Sequence, residues 1–419
     1  MNPSTPNTPS QAAAPDLQTL LEIIRSAAAQ VQGQAQTFRI HGSGSHDFYG
    51  ESLEGELLET RGLQGITQYE PSELVVTVAA GTPLDVLEAA LAEHGQCLAF
   101  EPPHFQGSSD QASFDQAAPA KQATVGGMVA SGLSGPARAS VGSVRDFVLG
   151  LKFINGRGEH LSFGGQVMKN VAGYDVSRLM VGSMGSLGLI TEVSLKVLPV
   201  APAEAFLKCP LSQAKALSLL HQWGGQPLPL NASCWVQDST QPGAPEVLFV
   251  RLRGAVAAVQ AACVRMKADV QALGSHLSEQ DSVSAAKDWA DCRDQRLPFF
   301  SQPAQGAPYP SDGLALWRLS VPQTSPVLDL TYAPLIEWHG ALRWVWAPLS
   351  AAQALRATAA SVGGQASLFR RPHMALADSP VGVPVFTPLD AVQQRIQQAL
   401  KNEFDPHGVF NPARLNSSF

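Results

Sequence analysis

The chain has 419 residues, 45% hydrophobic and 15% charged, the composition of a soluble globular protein long enough for two or three domains. A formal net charge of −7 argues against nucleic acid or an anionic membrane surface as the main partner. Five scattered cysteines, odd in number and never in a CxxC pair, argue against a disulfide framework or a zinc site and fit a reducing compartment.

The N-terminal stretch "MNPSTPNTPSQAAAP" lacks the basic and apolar regions of a signal peptide, and its prolines and small polar residues predict a disordered tail over 1–15. No run of 18 apolar residues occurs, so no membrane span is expected. Order is expected from Asp16, an N-cap before Leu17, Leu20, Leu21 and Ile24 at helical spacing. "TFRIHGSGSHDFYG" reads as a short strand breaking into a glycine loop. The segment from Leu57 to Phe100 reads as strand, turn, strand, helix, strand. Its helix is predicted to be capped by Thr82, with Pro83 in first position, Leu84, Leu87 and Leu91 buried, and Gly95 ending it.

Residues 121–143 contain 13 Gly, Ala or Ser among 23, with no amphipathic period and almost nothing large to bury. Beyond them, "RDFVLGLKFINGRGEHLSF" predicts a hairpin around Asn155-Gly156, and Asp175 a short capped helix. "LITEVSLKVLP" alternates Thr191, Val193, Leu195 and Val197 with Glu192, Ser194 and Lys196, the pattern of a half-buried strand. Residues 121–190 hold 14 of the 36 glycines. From about 201 onward, Ala-rich helices alternate with strands such as "VLFVRLRG" and "ALRWVWAP", predicting a second α+β domain. A helix and a Pro-marked turn close the chain.

Glycine lets backbone N–H groups approach a ligand closely, and successive N–H groups form a nest for phosphate oxygens. "HGSGSH", from His41 to His46, suits such a nest after a strand, with an ordinary turn as the alternative. A Rossmann fingerprint would need glycine where Asp47 stands, and no GxxxxGK[ST] is present. Two glycine-rich segments about 80 residues apart suggest one extended ligand, such as a dinucleotide, lying across both.

The ordered succession "RIHGSGSH", "LVVTVAAGTPLDVLEAAL", "FEPPHF", "ATVGGMVASGLSGP", "GSVRDFVLGLKFINGRGE", "MKNVAGYDVSRLMVGSMGSLGLITEVSLKVLP" and "FDPHGVFNP" resembles FAD-linked oxidases of the vanillyl-alcohol-oxidase / PCMH type. "MKNVAGYD", "FEPPH" and "QASLFRR" resemble in particular the E-type FAD-binding subunits of bacterial glycolate oxidases. The likeness is strong over 36–200, weaker over 201–380 and strong again over 386–415.

The resemblance implies an α+β fold with a two-lobed PCMH-type FAD-binding domain over 16–200. A smaller α+β cap follows over 201–385, and a C-terminal helix and tail over 386–419 pack back on the FAD domain. It assigns His41, Gly42, Ser43, Gly44, Ser45 and His46 to the FAD pyrophosphate. Pro102, Pro103, Thr124, Val125, Gly126 and Gly127 are expected along the flavin. Ser131, Gly132, Gly135, Gly142 and Ser143 are expected to continue around the cofactor, and Ile190 to offer it backbone. Lys169 and Asn170 are expected near flavin and substrate as catalytic residues, Lys169 stabilising negative charge or acting as a structural ion pair. Tyr174 is expected to pack. His41 and His46 lack the covalent arrangement of flavinylated relatives, so FAD is expected to be non-covalent.

Arg370 and Arg371, with His373, are candidates for binding a substrate anion, a solvated basic cluster being the alternative. Metal-using relatives carry paired cap histidines and a carboxylate. Here only "HLSE", with His276 and Glu279, stands in the cap, and no metal is expected.

The implied function is oxidation of glycolate or a related small 2-hydroxy acid to the 2-oxo acid. The implied partners are a homologous FAD-binding catalytic subunit and an iron–sulfur subunit. The complex is expected in the cytoplasm or peripherally at the inner face of the membrane. The alternative is a flavin-bearing assembly or electron-relay subunit without substrate chemistry of its own.

Overall fold

A computed structural model of the chain describes residues 14–30, 36–105, 122–165, 174–301, 313–372 and 382–416. Its first helix, Leu17–Ala28, starts where Asp16 accepts the Thr19 N–H at 2.8 Å. Helix residues Leu20, Leu21, Ile24 and Ala27 bury against Phe38, Leu58, Val409 and Phe410. Phe38–His41 pairs in parallel with Glu56–Glu59, and Phe38 also pairs with Phe410. The N-terminal strand is therefore bracketed by residues from the far end of the chain.

A five-stranded antiparallel sheet runs in the order Ile66–Glu70, Val75–Ala79, Leu189–Lys196, Val148–Ile154, His160–Gly164. The last two strands form the expected hairpin, with Asn155 Oδ1 accepting from the Arg157 and Glu159 N–H groups at 3.0 Å. Leu189–Lys196 lies at the centre of the sheet. Its polar face is therefore covered as well, and Ser194 is buried 2.8 Å from Thr77 Oγ1.

Two local expectations change. Thr82 does not cap Leu84–Ala92: its hydroxyl accepts from the Gly65 N–H at 2.9 Å, and Pro83 occupies the N-cap without a side-chain bond. The small-residue stretch does form a helix, Val125–Ser131, burying Val125, Met128 and Val129 at i, i+3, i+4. Seven residues carrying two glycines are too few to display that period in the sequence.

The second half builds an eight-stranded antiparallel sheet. Its order is Ser278–Glu279, Ala203–Pro210, Glu246–Gly254, Leu230–Gln237, Leu335–Glu337, Leu342–Pro348, Leu314–Ser320, Gln365–Arg370. Helices Gln213–Gly224 and Val256–Ala272 cover one core around Leu207, Leu248 and Trp235. Another core, around Trp317, Trp338, Trp344 and Phe369, reaches Tyr49, Phe105 and Leu133 of the first half. The last helix, Ala391–Phe404, starts at Asp390 and returns to the five-stranded sheet. Its Lys401 ammonium donates to the Ser186 and Phe410 carbonyls and to Asp405, and Phe404 packs on Phe153.

No helix among the described residues is long and apolar enough to cross a membrane. No group of three or more His, Cys, Asp or Glu side chains among them could hold a metal ion.

Candidate functional site

The two glycine segments meet. The loop after Phe38–His41 runs against the N-terminus of helix Val125–Ser131. There Thr124 caps the helix by accepting the Gly127 N–H at 3.2 Å. The helix is drawn onto the sheet by Gly126 N–H donating to Ala80 O at 2.7 Å. A β-carbon on Gly126 would lie 2.9 Å from Ala80 Cβ, so this glycine serves the close approach of helix and strand.

Between the segments opens a cleft with a cavity volume of about 100 Å³, open to solvent. Gly42, Ser43, Gly44, Ser45 and His46 line it on one side, and Thr124, Gly126, Gly127 and Ser131 on the other. Ile190, from the central strand, forms part of the floor. Among the described residues, the N–H groups of Gly42, Ser43, Gly44 and His46 donate to no protein acceptor. Four free donors in one short loop suit an anion-binding concavity, and the glycine-lined walls on both sides leave room for the backbone to approach a phosphorylated ligand.

The other expected residues that the structure describes are not among those lining this cleft. His41 is buried behind the loop, its Nδ1 3.8 Å from Asp47 Oδ2. Val125 points into the core under the helix. Gly132 ends the helix in the left-handed region at φ 65°. Gly142 and Ser143 lead into helix Val144–Phe147, where Ser143 and Asp146 form a capping box. Pro103 and Gly135 line a separate small cavity of about 20 Å³ shared with Arg293, Arg318, Glu337 and Trp338 of the second half, and Pro102 is buried beside Pro103. Lys169, Asn170 and His373 lie outside the described residues. Tyr174 does not pack: it is 90% exposed.

His46 faces the cleft with Ser45 Oγ 3.0 Å from its Nδ1 and Phe105 at its edge. Desolvation, reinforced by the Arg414 charge, lowers its pKa to about 4, so the imidazole is neutral at physiological pH.

The "FEPPH" segment is held by charge. Glu101 adopts φ 50°, and its carboxylate accepts from Arg251 Nη2 and Arg253 Nη1 of the eight-stranded sheet, each at 2.7 Å. Burial works to raise the Glu101 pKa, but the two guanidinium groups hold it below the ordinary carboxylate value. His104 N–H donates to Asp294 Oδ1 at 2.9 Å, a second tie to the same half. Arg370 ends the edge strand over the Phe48 and Phe105 rings and donates to Gln295 Oε1 at 2.8 Å. Arg371 follows it, half-buried.

Sequence reasoning missed a third wall. Arg39, Asp47, Met184, Gly185, Gly188, Asn411 and Arg414 also line the cleft. Asn411 Oδ1 accepts the Ile40 N–H at 2.8 Å, while its Nδ2 donates to Met184 O at 2.6 Å. The tail motif "FDPHGVFNP" was the signal that could have found Asn411.

Residues 13–109 match the family described as an FAD binding domain. The chain is 42% identical over 376 residues to "Glycolate oxidase subunit GlcE" of Escherichia coli (strain K12), covering 90% of this chain and 91% of that protein. It is 32% identical over 146 residues to "D-lactate dehydrogenase" of Archaeoglobus fulgidus, which covers 35% of this chain and 29% of the relative. Among solved structures, an alkyldihydroxyacetonephosphate synthase superposes with a TM-score of 0.62 at 14% identity, over 95% of this chain and 76% of that one.

Proposed function

The chain belongs to the glycolate oxidase subunit GlcE family of FAD-linked oxidases, and from that premise we propose that it is the FAD-binding subunit of a complex oxidising glycolate, or a related small 2-hydroxy acid, to the 2-oxo acid. The observation that carries this reading is the cleft between two glycine segments with four unoccupied N–H donors along one loop. Bound FAD supplies a two-electron acceptor for the α-hydrogen of the acid. The chain's own part is to seat the diphosphate on Gly42–His46, to hold helix Val125–Ser131 along the cofactor, and to fix the "FEPPH" segment through Glu101.

The FAD is non-covalent in this reading. This is supported by His41, which lies 3.8 Å from Asp47 and outside the cleft lining, and by His46, whose Nδ1 meets Ser45 Oγ at 3.0 Å. Residues 16–200 and 386–419 make up the FAD-binding part, and 201–385 the cap. Lys169 and Asn170 are assigned to the flavin and substrate side through family likeness, and Arg370 and Arg371 to the substrate carboxylate. Lys169→Met should lower the flavin reduction potential; an unchanged potential removes Lys169 from that role. The electrons leave through a homologous FAD-binding catalytic subunit and an iron–sulfur subunit, in a complex that is cytoplasmic or held peripherally at the inner face of the membrane through those partners.

A second reading rests on one observation. The junction between the halves is filled with aromatic rings: Phe105 contacts Phe48, Phe48 and Tyr49 contact Phe369, and Phe369 contacts Trp344 at 4.8 Å. So aromatic a junction favours a flavin-bearing assembly or electron-relay subunit whose flavin never meets substrate. Glycolate added to the purified chain, alone and with its partners, separates the two. The protein should be yellow and release FAD on acid precipitation. Colour that stays with the polypeptide removes the non-covalent assignment, and a folded chain that takes up no FAD removes the cofactor reading. Rapid bleaching of the lone chain favours substrate chemistry here. Bleaching only in the complex, persisting when this chain's flavin site is destroyed, favours the relay.

A further inference from the structure

The loop of N–H donors supplies partial charges, but a dinucleotide diphosphate carries two full negative charges. Two arginines from opposite ends of the chain border the same cleft, Arg39 in the first strand and Arg414 in the tail. Neither is expected from a glycine pattern, and their meeting depends on the tail pairing with the first strand. Phe38 N–H donates to Val409 O at 2.7 Å, and Asn411 N–H to Phe38 O at 2.8 Å.

The two differ in what they already hold. Arg414 is 7% exposed, and its guanidinium donates to the carbonyls of His46, Asp47, Tyr49 and Ser52. Arg414 thereby fixes the carbonyls that follow the glycine end of the loop, whose N–H groups have no protein acceptor among the described residues. Burial, with the nearby Arg39 charge, lowers the Arg414 pKa to about 10, so it remains a cation at neutral pH. Arg39 has no carboxylate partner among the described residues, and its Nε is buried without a hydrogen-bond acceptor. A buried guanidinium N–H without an acceptor is costly unless a ligand satisfies it.

We propose that Arg39 binds the diphosphate of the cofactor directly, while Arg414 is the positioning residue that shapes the glycine loop and adds its charge from behind. The proposal rests on the FAD reading above. Carboxylates do border the pair: Asp47, which lines the cleft, and Glu51 both act on the Arg414 charge, while Glu54 is exposed. Arg39 is thus the cation of the two that is left for an anionic ligand.

The test measures FAD affinity of the full-length apo-protein by flavin fluorescence quenching, at low and high salt, for wild type and the variants Arg39→Met, Arg39→Lys and Arg414→Lys. A charge-assisted hydrogen bond lost from the diphosphate should weaken FAD binding by about ten- to a hundredfold in Arg39→Met. The salt dependence of binding should flatten in the same variant, because one screened charge pair is gone. Arg39→Lys should recover most of the affinity, and the melting temperature of apo Arg39→Met should stay at the wild-type value. Arg414→Lys keeps the charge but not the four-carbonyl fork, so it should lose affinity while retaining the wild-type salt slope. Wild-type affinity in Arg39→Met, or an unchanged salt slope, overturns the proposal. Wild-type affinity in Arg414→Lys overturns the positioning role. Failure of the wild-type apo-protein to bind FAD at all overturns the underlying cofactor reading instead.

Discussion

Gly42 and Thr124 touch across the base of the cleft: a β-carbon on Gly42 would stand 2.7 Å from Thr124 Oγ1, the oxygen that caps the glycine helix. The loop can lie this close only because position 42 carries no side chain, and the helix can start there only because position 124 carries an acceptor. Part of the bare backbone thus lets the two segments pack on each other, and part lets the helix approach Ala80. The cofactor surface is what remains open between them.

Gly42→Ala should therefore destabilise the protein by about 1–3 kcal/mol through overpacking and should lower its flavin content. Thr124→Ala should cost about 1 kcal/mol through the lost cap. The double variant should be less destabilised than the sum, since removing the hydroxyl makes room for the new methyl. Chemical denaturation of the four proteins checks this, and strict additivity removes the contact as the cause.

Gly126→Val presents a branched side chain to Ala80, whose Cβ and carbonyl oxygen lie 2.9 and 3.0 Å from the position of a β-carbon. The expected result is lowered thermal stability together with lost FAD, because the helix must lift from the sheet that places it. Circular dichroism melts beside flavin-to-protein ratios read both effects. Loss of FAD with an unchanged melting temperature would mean that the valine meets the cofactor and not the sheet.

Glu101→Gln leaves Arg251 and Arg253 facing a neutral amide. Breaking a buried pair in this way typically costs about 3–5 kcal/mol. The carboxylate's folded pKa is held below its ordinary value of 4.5. Its contribution is therefore fully present above that value and is lost as pH falls through the lower folded pKa. The stability gap between wild type and variant should be wide at pH 7 and should shrink below about pH 4.5. A gap that does not change with pH would assign the effect to packing.

His339 behaves oppositely in charge but loses stability in the same direction of pH. Its ring lies 2.9 Å from both Ser233 Oγ and Ser140 Oγ, joining the end of the small-residue segment to the eight-stranded sheet. Burial lowers its pKa from 6.5 to about 4. The unfolded chain thus takes up a proton near pH 6.5 that the folded one refuses until about pH 4, and stability falls as pH is lowered through that window. At 1.36 kcal/mol per pH unit the loss is on the order of 3 kcal/mol. Melting of wild type against His339→Gln between pH 7 and pH 4 should show the difference closing. A constant difference would contradict burial of a neutral imidazole.

How much of this was written in the chain depends on the range over which each feature acts. Capping by Asp16 and Asp175, the Asn155-Gly156 hairpin, the alternating strand ending at Lys196 and the two glycine loops are decided by neighbours within a few residues. Their patterns therefore appear in the sequence directly, and so does the ordered set of motifs that marks the family. Thr82 shows the limit of local rules: its hydroxyl suits a cap, yet the Gly65 N–H, 17 residues away, claims it. Tyr174 shows the same limit for burial, since an aromatic ring packs only where the fold brings a surface to it, and among the described residues none covers this one, which is 90% exposed. The tertiary structure alone decided that Asn411 holds Ile40, that Glu101 is gripped by Arg251, and that Arg39 and Arg414 border one cleft. Each brings together residues 150 or more positions apart, so it leaves no period, cap or turn for the sequence to display. It exists only once the sheets and the returning tail have brought the partners together.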